Sequence, residues 1–142
     1  MYHISKQFPF CAAHRLNGLP LEHQCSRLHG HNYVVQVVLE SAVLDDTGFI
    51  RDYAELDTFG DYLKQTFDHR YLGYGKLHIM NEVGPASVIV PVVTFNPTAE
   101  QLAHYLYSKA VGLYPEVVNV GVSETPRTWA WAIDENPSIR GL

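Results

Sequence analysis

Alternating apolar and polar residues open the chain and predict a β-strand there. From Tyr2 to Phe10 every second residue is apolar except Lys6, and the intervening positions are mostly polar. A repeat of two residues is typical of a strand with one buried face. Similar patterns predict three further strands: His31 to about Ser41, Val117 to Glu124, and a last one marked by Trp129, Trp131 and Ile133.

Two segments between these strands have the spacing of amphipathic helices instead. The first is predicted from about Tyr53 to Thr66, where Asp52 and Glu55 resemble a capping box. Gly60 weakens this helix. The second begins after Thr98 and ends near Gly112. Its apolar stripe consists of Leu102, Leu106, Ala110 and Leu113.

The segment between the two helices has a mixed character. Ala86 to Phe95 is apolar and β-branched, but Pro91 interrupts it, so we expect an edge strand or an irregular segment. The resulting order predicts an α+β fold with an antiparallel sheet and two helices on one face, in a single domain spanning residues 1–142. Such a sheet has edges that must be blunted or paired, which predicts an oligomer.

Composition narrows the choice of partners. The net charge of −5 and the lack of a Lys/Arg block argue against nucleic acid, but a small anionic substrate stays possible. No stretch is long and apolar enough to cross a membrane. The chain has two cysteines and no apolar leader at its start, so we expect a reducing cytoplasm.

Three histidines form the strongest candidate site. His29 and His31 are two residues apart, so on a strand both face the same side, and His14 follows a short Ala-Ala pair upstream. A single histidine is more often satisfied by hydrogen bonds on a sheet. Three imidazoles with one open position are the ligand set of a catalytic zinc, although other divalent ions also fit.

Cys25 lies in a polar loop beside this group. A free cysteine is usually a small buried hydrophobe, and here it could also be a fourth metal ligand. Arg27 and a nearby cation would favour the thiolate, which is a suitable base next to a Lewis-acid metal. Cys11 lies between Phe10 and Ala12, and we predict that it is part of the core.

Two acidic positions are further candidates. Asp68-His69 could form a proton relay, although a histidine at the end of a helix is also favoured by the helix dipole. Glu124 shares the predicted buried face of its strand, where a carboxylate needs a partner such as a guanidine-like edge. Pro126 follows closely, so Glu124 could instead be a solvated strand end.

The start of the second helix could hold a ligand, with Thr98 and Glu100 in its first turn. Acidic residues are favoured there in any case. The candidate cations for phosphate groups are Arg15, Arg27, Arg70 and Lys76.

Five motifs that follow one another along nearly the whole chain carry a family resemblance. They are Phe10-x-Ala-Ala-His14, Cys25-x-x-x-His29-Gly-His31, Asp68-His69-x-x-Leu72, Asn96-Pro97-Thr98-x-Glu100 and Val122-x-Glu124-Thr125. In this order they resemble the 6-pyruvoyl-tetrahydropterin synthase family. The three-residue gap between Cys25 and His29 is similar to the bacterial branch, the 6-carboxy-5,6,7,8-tetrahydropterin synthases of the queuosine and 7-deazaguanine pathway.

The resemblance implies a zinc-dependent lyase. His14, His29 and His31 would bind Zn²⁺, and Cys25 would be the base that abstracts a proton. The substrate would be 7,8-dihydroneopterin triphosphate, which loses triphosphate and, in the carboxy branch, acetaldehyde after attack of water.

The resemblance also implies roles for the later motifs. His69, backed by Asp68, and Glu124 would form the proton relay, while Glu100 and Thr98 would anchor the pterin edge. Two residues are further expected substrate contacts: Thr125, beside Glu124, and Arg27. The implied architecture is the tunnelling fold, with a four-stranded antiparallel sheet and two helices. The subunits would form a homohexamer of two trimers, each closing a twelve-stranded barrel, with active sites between subunits.

Three departures from the family pattern concern the product. Gly73 stands where the family usually has Asn, the segment from Tyr74 to Phe95 is long, and the tail contains Trp129 and Trp131. A 6-pyruvoyl product or another side-chain cleavage therefore stays an alternative. A second alternative, of another class, is a pterin- or metal-binding module without turnover.

Overall fold

The computed structural model describes residues 1–73, 75, 77–79, 87–89 and 91–135. The strands are β1 (Tyr2–His14), β2 (His29–Ser41), β3 (Arg70–Leu72), β4 (Leu77–Ile79), β5 (Ser87–Ile89), β6 (Val117–Ser123) and β7 (Ala130–Ile133). The helices are α1 (Asp57–Thr66) and α2 (Ala99–Leu113), and short 3₁₀ turns cover Gln24–Ser26 and Tyr53–Leu56. The α+β class predicted from the sequence is confirmed. No helix in the described ranges has the length and apolar character to cross a bilayer.

The main sheet has five strands in the order β3-β1-β2-β6-β7. The β1/β2, β2/β6 and β6/β7 pairs are antiparallel, whereas β3 lies parallel to β1. The sheet therefore differs from the expected four antiparallel strands. The reason is the path of the chain: β2 ends opposite Tyr2, and α1 then returns the chain along the sheet before β3 begins.

One face of this sheet forms the core, as the alternation predicts. Phe8 lies opposite Val35, and Val35 in turn lies opposite Val122. Both helices contribute to the same apolar cluster, through Phe59 of α1 and Leu102 of α2, which have no exposed surface. Strand β1 continues past the predicted end at Phe10 and reaches His14.

Two residues lie outside the core cluster although the sequence predicts them in it, Cys11 in β1 and Val118 in β6. Cys11 is exposed on the side opposite the core, where its thiol donates to Asn32 Oδ1 at 3.1 Å. A register shift at Leu39 forms a bulge, so the core cluster contains Val117 rather than Val118. A strict alternation misses a bulge because one extra residue moves the following side chains to the other face.

Both predicted helix caps are present. Asp52 accepts a hydrogen bond from the Ala54 N–H at 2.9 Å, although the residues that follow form a 3₁₀ turn before α1 begins. Thr98 accepts from the Gln101 N–H at 3.2 Å and caps α2. Gly60 lets α1 approach the sheet, because a Cβ there would lie 2.6 Å from the Phe8 ring.

The interrupted segment before α2 contains strand β5, which pairs antiparallel with β4. Positions 86 and 90 of the predicted strand, most of 74–86 and the tail 136–142 lie outside the described residues. From Pro91 to Thr98 the chain has no regular structure, as expected for a segment with two prolines.

Candidate metal centre and adjoining clefts

The register between β1 and β2 brings three histidines together at one end of the core face. His14 lies opposite His29, and Ala12 lies opposite His31. The three rings are mutually T-shaped, with centroids 4.5 to 4.9 Å apart. Their ligand atoms all lie within 4.8 Å of one another, which is the spacing of a shared ion.

Hydrogen bonds orient two of these rings for metal binding. His14 Nδ1 lies 3.0 Å from the Pro97 carbonyl, and His29 Nδ1 lies 2.7 Å from the Arg27 carbonyl. A carbonyl only accepts, so each Nδ1 carries the proton and each Nε2 keeps its lone pair. The two Nε2 atoms face each other at 2.9 Å. Two facing lone pairs need a cation between them, so these residues fit a metal ion.

Burial favours the neutral form of two of the three imidazoles, those of His14 and His31. It lowers the pKa of His14 to about 4, while the Pro97 hydrogen bond acts in the opposite direction and His29 and His31 lower it further. Burial, together with His29, also lowers the pKa of His31. The Tyr33 hydroxyl lies 3.0 Å from His14 Nδ1, and burial raises the pKa of this phenol. Neutral imidazole is the form that binds a metal, so the site is prepared at neutral pH.

Glu124 directly follows β6 and ends beside the three rings. Its carboxylate oxygens lie 3.9 Å from His14 Nε2 and 4.0 Å from His31 Nε2. The side chain is 25% exposed. Burial raises the pKa of this carboxyl, His29 opposes that effect, and the charge of Glu100 adds to it. Glu124 thus holds a proton more readily than an exposed glutamate.

Two clefts adjoin this group, and Glu124 lines both. The first has a volume of about 430 Å³ and includes Thr98, Glu100 and Trp129. The second, of about 460 Å³, includes His31, Thr125 and again Trp129. The structure therefore brings the predicted substrate residues Thr98, Glu100 and Thr125 to the same neighbourhood as Glu124.

The loop that carries Cys25 folds back toward His14. The Cys25 carbonyl accepts from the Leu16 N–H at 2.8 Å, and its own N–H donates to His23 Nδ1 at 3.1 Å. Cys25 is half-buried. Among the described residues, the group with ligand atoms close enough to share an ion contains the three histidines and does not include this thiol.

The three predicted phosphate cations that the structure describes, Arg15, Arg27 and Arg70, lie outside both clefts. Arg27 and Arg70 are exposed, and Arg15 has a buried Nε without a hydrogen-bond partner. Lys76 lies outside the described residues. The described residues that line the two clefts include no lysine or arginine, so the clefts are acidic in character.

Asp68 and His69 form a pair that is separate from the clefts. His69 Nδ1 lies 2.9 Å from Asp68 Oδ2, and the ring is 81% exposed. Asp68 also accepts from the Cys11 N–H at 2.9 Å, and this bond, followed by that with His69, lowers the pKa of the carboxyl. His69 has a φ of 58°, unique among the non-glycine residues described. Such a backbone is strained and persists only where neighbouring contacts hold it.

Several residues of this region were missed from the sequence. Pro97 contributes a backbone carbonyl, for which no residue type gives a signal. Tyr33 could have been found, since it lies two residues after His31 and therefore on the same face. His23 and Trp129 line the first cleft, and neither belongs to the quoted motifs.

Comparison with known proteins gives consistent matches. A family model described as 6-pyruvoyl tetrahydropterin synthase matches residues 3–135. The 6-carboxy-5,6,7,8-tetrahydropterin synthase of Rickettsia bellii is 27% identical over 137 residues, covering 89% of this chain and 96% of that protein. A probable 6-carboxy-5,6,7,8-tetrahydropterin synthase of Halobacterium salinarum is 33% identical over 132 residues, covering 87% and 83%.

Solved structures give the same result. An uncharacterized protein of Wolinella succinogenes has a TM-score of 0.77 at 26% identity, covering 94% of this chain and 98% of that one. The 6-pyruvoyl tetrahydropterin synthase of Caenorhabditis elegans has a TM-score of 0.73 at 25% identity, covering 94% and 96%. Because the family model spans most of the chain and the relatives align over most of their length, this protein belongs to the 6-pyruvoyl tetrahydropterin synthase family.

Proposed function

We propose that this protein is a zinc-dependent lyase that converts 7,8-dihydroneopterin triphosphate and water into 6-carboxy-5,6,7,8-tetrahydropterin, triphosphate and acetaldehyde. The observation that carries the proposal is the convergence of three imidazoles and one carboxylate, Glu124, which lines the two adjoining clefts. The names of the Rickettsia and Halobacterium relatives support the same reaction. The reaction would belong to queuosine synthesis in the cytoplasm.

His14, His29 and His31 would hold the zinc ion through their Nε2 atoms. Bound there, zinc would act as a Lewis acid toward the hydroxyl oxygens of the substrate side chain and acidify the adjacent C–H bonds. The carbonyls of Pro97 and Arg27 would keep two of the rings in the ligating tautomer. The fourth position would stay open to substrate.

Cys25 would remove the side-chain proton. Its backbone carbonyl accepts from the N–H of Leu16, two residues after His14, so its loop is tied to the segment that follows β1. Its absence from the group of close ligand atoms favours a base over a fourth ligand. Its half-buried position leaves it accessible to a substrate.

The carboxylates of Glu100 and Glu124, which line the first cleft, would act on the pterin ring of the substrate. Glu100, with Thr98, would accept hydrogen bonds from the guanidine-like edge of the pterin. Glu124 would pass protons in the relay, a role that its raised pKa supports.

His69, oriented by Asp68, would complete the relay. Because this ring is exposed and lines neither cleft, it would serve the site of a neighbouring copy. That arrangement agrees with a homohexamer in which active sites form between subunits. Arg27 would then lie near the triphosphate as an exposed cation.

A 6-pyruvoyl product is the second candidate. The structural likeness to the Caenorhabditis elegans enzyme favours it, since that protein is named for this product. A binding module without turnover is a third candidate, and the combination of a thiol, a histidine–carboxylate pair and Glu124 argues against it.

The test is to incubate the zinc-loaded protein with 7,8-dihydroneopterin triphosphate and identify the products by mass spectrometry. We expect the 6-carboxy product. A 6-pyruvoyl product would select the second candidate, and no product would refute the lyase.

Two variants then separate the proposed roles. Cys25→Ala should lower kcat by about 10²–10⁴-fold, as expected for loss of a general base, with zinc content unchanged. His29→Ala should lose zinc. Loss of zinc in Cys25→Ala would identify the thiol as a ligand and refute its role as the base.

A further inference from the structure

Trp129 is an exposed indole shared by the two clefts beside the histidine group. It lines the first with Thr98 and Glu100 and the second with Thr125 and His31. The indole keeps 38% of its surface exposed. An aromatic ring left open to water beside a cleft is a feature of ligand sites rather than of a closed core.

The Trp129 indole is supported by a second indole, that of Trp131. Its ring stacks on Trp131, with centroids 5.4 Å apart and an angle of 21° between the planes. Trp131 in turn lies on the backbone of Gly121, where a Cβ would come within 2.7 Å of ring atoms. The stack is therefore built up from strand β6, and Trp129 loses little conformational freedom when a ligand lies on it.

The charges around the indole indicate what it faces. Glu100 and Glu124 line the same cleft, and its described lining residues include no lysine or arginine to balance them. Such a cleft favours a flat ring that offers N–H donors to the carboxylates and a face to the indole. The same charges disfavour a triphosphate, which carries several negative charges.

We propose that Trp129 is the stacking wall for the ring of the pterin substrate, and that Trp131 is a positioning residue behind it. The proposal rests on the proposed function, because it takes the pterin as the ligand. Trp129 supplies ring affinity and takes no part in proton transfer. Its loss therefore affects binding of the ring and leaves the chemistry of the side chain unchanged.

The experiment is calorimetric titration of the zinc-loaded full chain with pterin itself, which has no side chain to react. Trp129→Leu should weaken binding by about tenfold, the loss expected for one aromatic stack and its apolar contact. Trp129→Phe should recover most of the affinity. Phe49→Leu is the control, since Phe49 is an exposed aromatic, at 50%, that lines neither of the two clefts.

Turnover of 7,8-dihydroneopterin triphosphate provides a second readout. Trp129→Leu should raise KM by about tenfold and leave kcat within about twofold, because the lost contact is made equally in the ground and transition states. A variant that lowers kcat instead would overturn the stacking role.

The possible failures are distinguishable. If Trp129→Leu binds pterin as tightly as the unaltered protein, the inference is wrong and the lyase proposal stands. If the unaltered protein binds no pterin, the stacking role is wrong, and the product assay decides the lyase proposal separately. If Trp129→Leu loses affinity only together with a change in mass by light scattering, the indole supports an assembly and the stacking role is refuted.

Discussion

The buried His14 should make the stability of the metal-free protein depend on pH. Its side chain is 1% exposed, and its pKa falls from 6.5 to about 4. Between pH 6.5 and about pH 4, His14 is protonated in the unfolded chain and neutral in the folded chain. The free energy of unfolding therefore falls as the pH decreases through this range. The difference of about 2.5 pH units, at 1.36 kcal/mol each, amounts to about 3 kcal/mol.

The matched variant is His14→Asn, which does not titrate and keeps an N–H near the Pro97 carbonyl. Urea unfolding of the EDTA-treated proteins should be followed by circular dichroism between pH 7 and pH 4. The original protein should lose about 3 kcal/mol more of its unfolding free energy than the variant. Equal losses in both proteins would show that His14 is not held neutral by the fold, and the reasoning from its burial would fail.

Two other perturbations test the assembly and the packing. Co-expressed Cys25→Ala and His69→Ala chains should regain up to about a quarter of full activity, because a site shared between copies can draw an intact residue from each. Mixed assemblies no more active than either variant alone would place both residues in one subunit's site. Gly121→Ala should lower the free energy of unfolding by about 1–3 kcal/mol, because its Cβ would overlap the Trp131 ring. Gly112→Ala is the control, with open space around its Cβ, and an equal loss in both variants would contradict this account.

Local patterns predicted the elements well where one period continues without interruption. The alternation in β1 and β2 identified the core face. The cap at Thr98 identified the start of α2, whereas Asp52 caps the 3₁₀ turn that precedes α1. The same logic predicted that His29 and His31 share a face. The alternation also places Cys11 on the face opposite to Phe10, which is where it lies. The prediction of a core position for Cys11 was wrong because it relied on the apolar neighbours instead.

Other features depend on contacts between distant parts of the chain. The parallel strand β3 follows from the return path through α1, and no local pattern marks that path. The bulge at Leu39 changes which valines of β6 face the core. Both depend on strand pairing, which a single segment does not specify.

The histidine group likewise combines features that follow from the local sequence with features that depend on the tertiary structure. The sequence by itself determined that two imidazoles lie side by side on a strand, because the spacing of two residues belongs to the backbone. Only the tertiary structure placed His14 opposite His29 and brought the Pro97 carbonyl, 83 residues away, to its Nδ1. Those contacts determine the tautomer, the burial and the lowered pKa of His14. They depend on how strands and helices pack, which the residue pattern of any one segment leaves open.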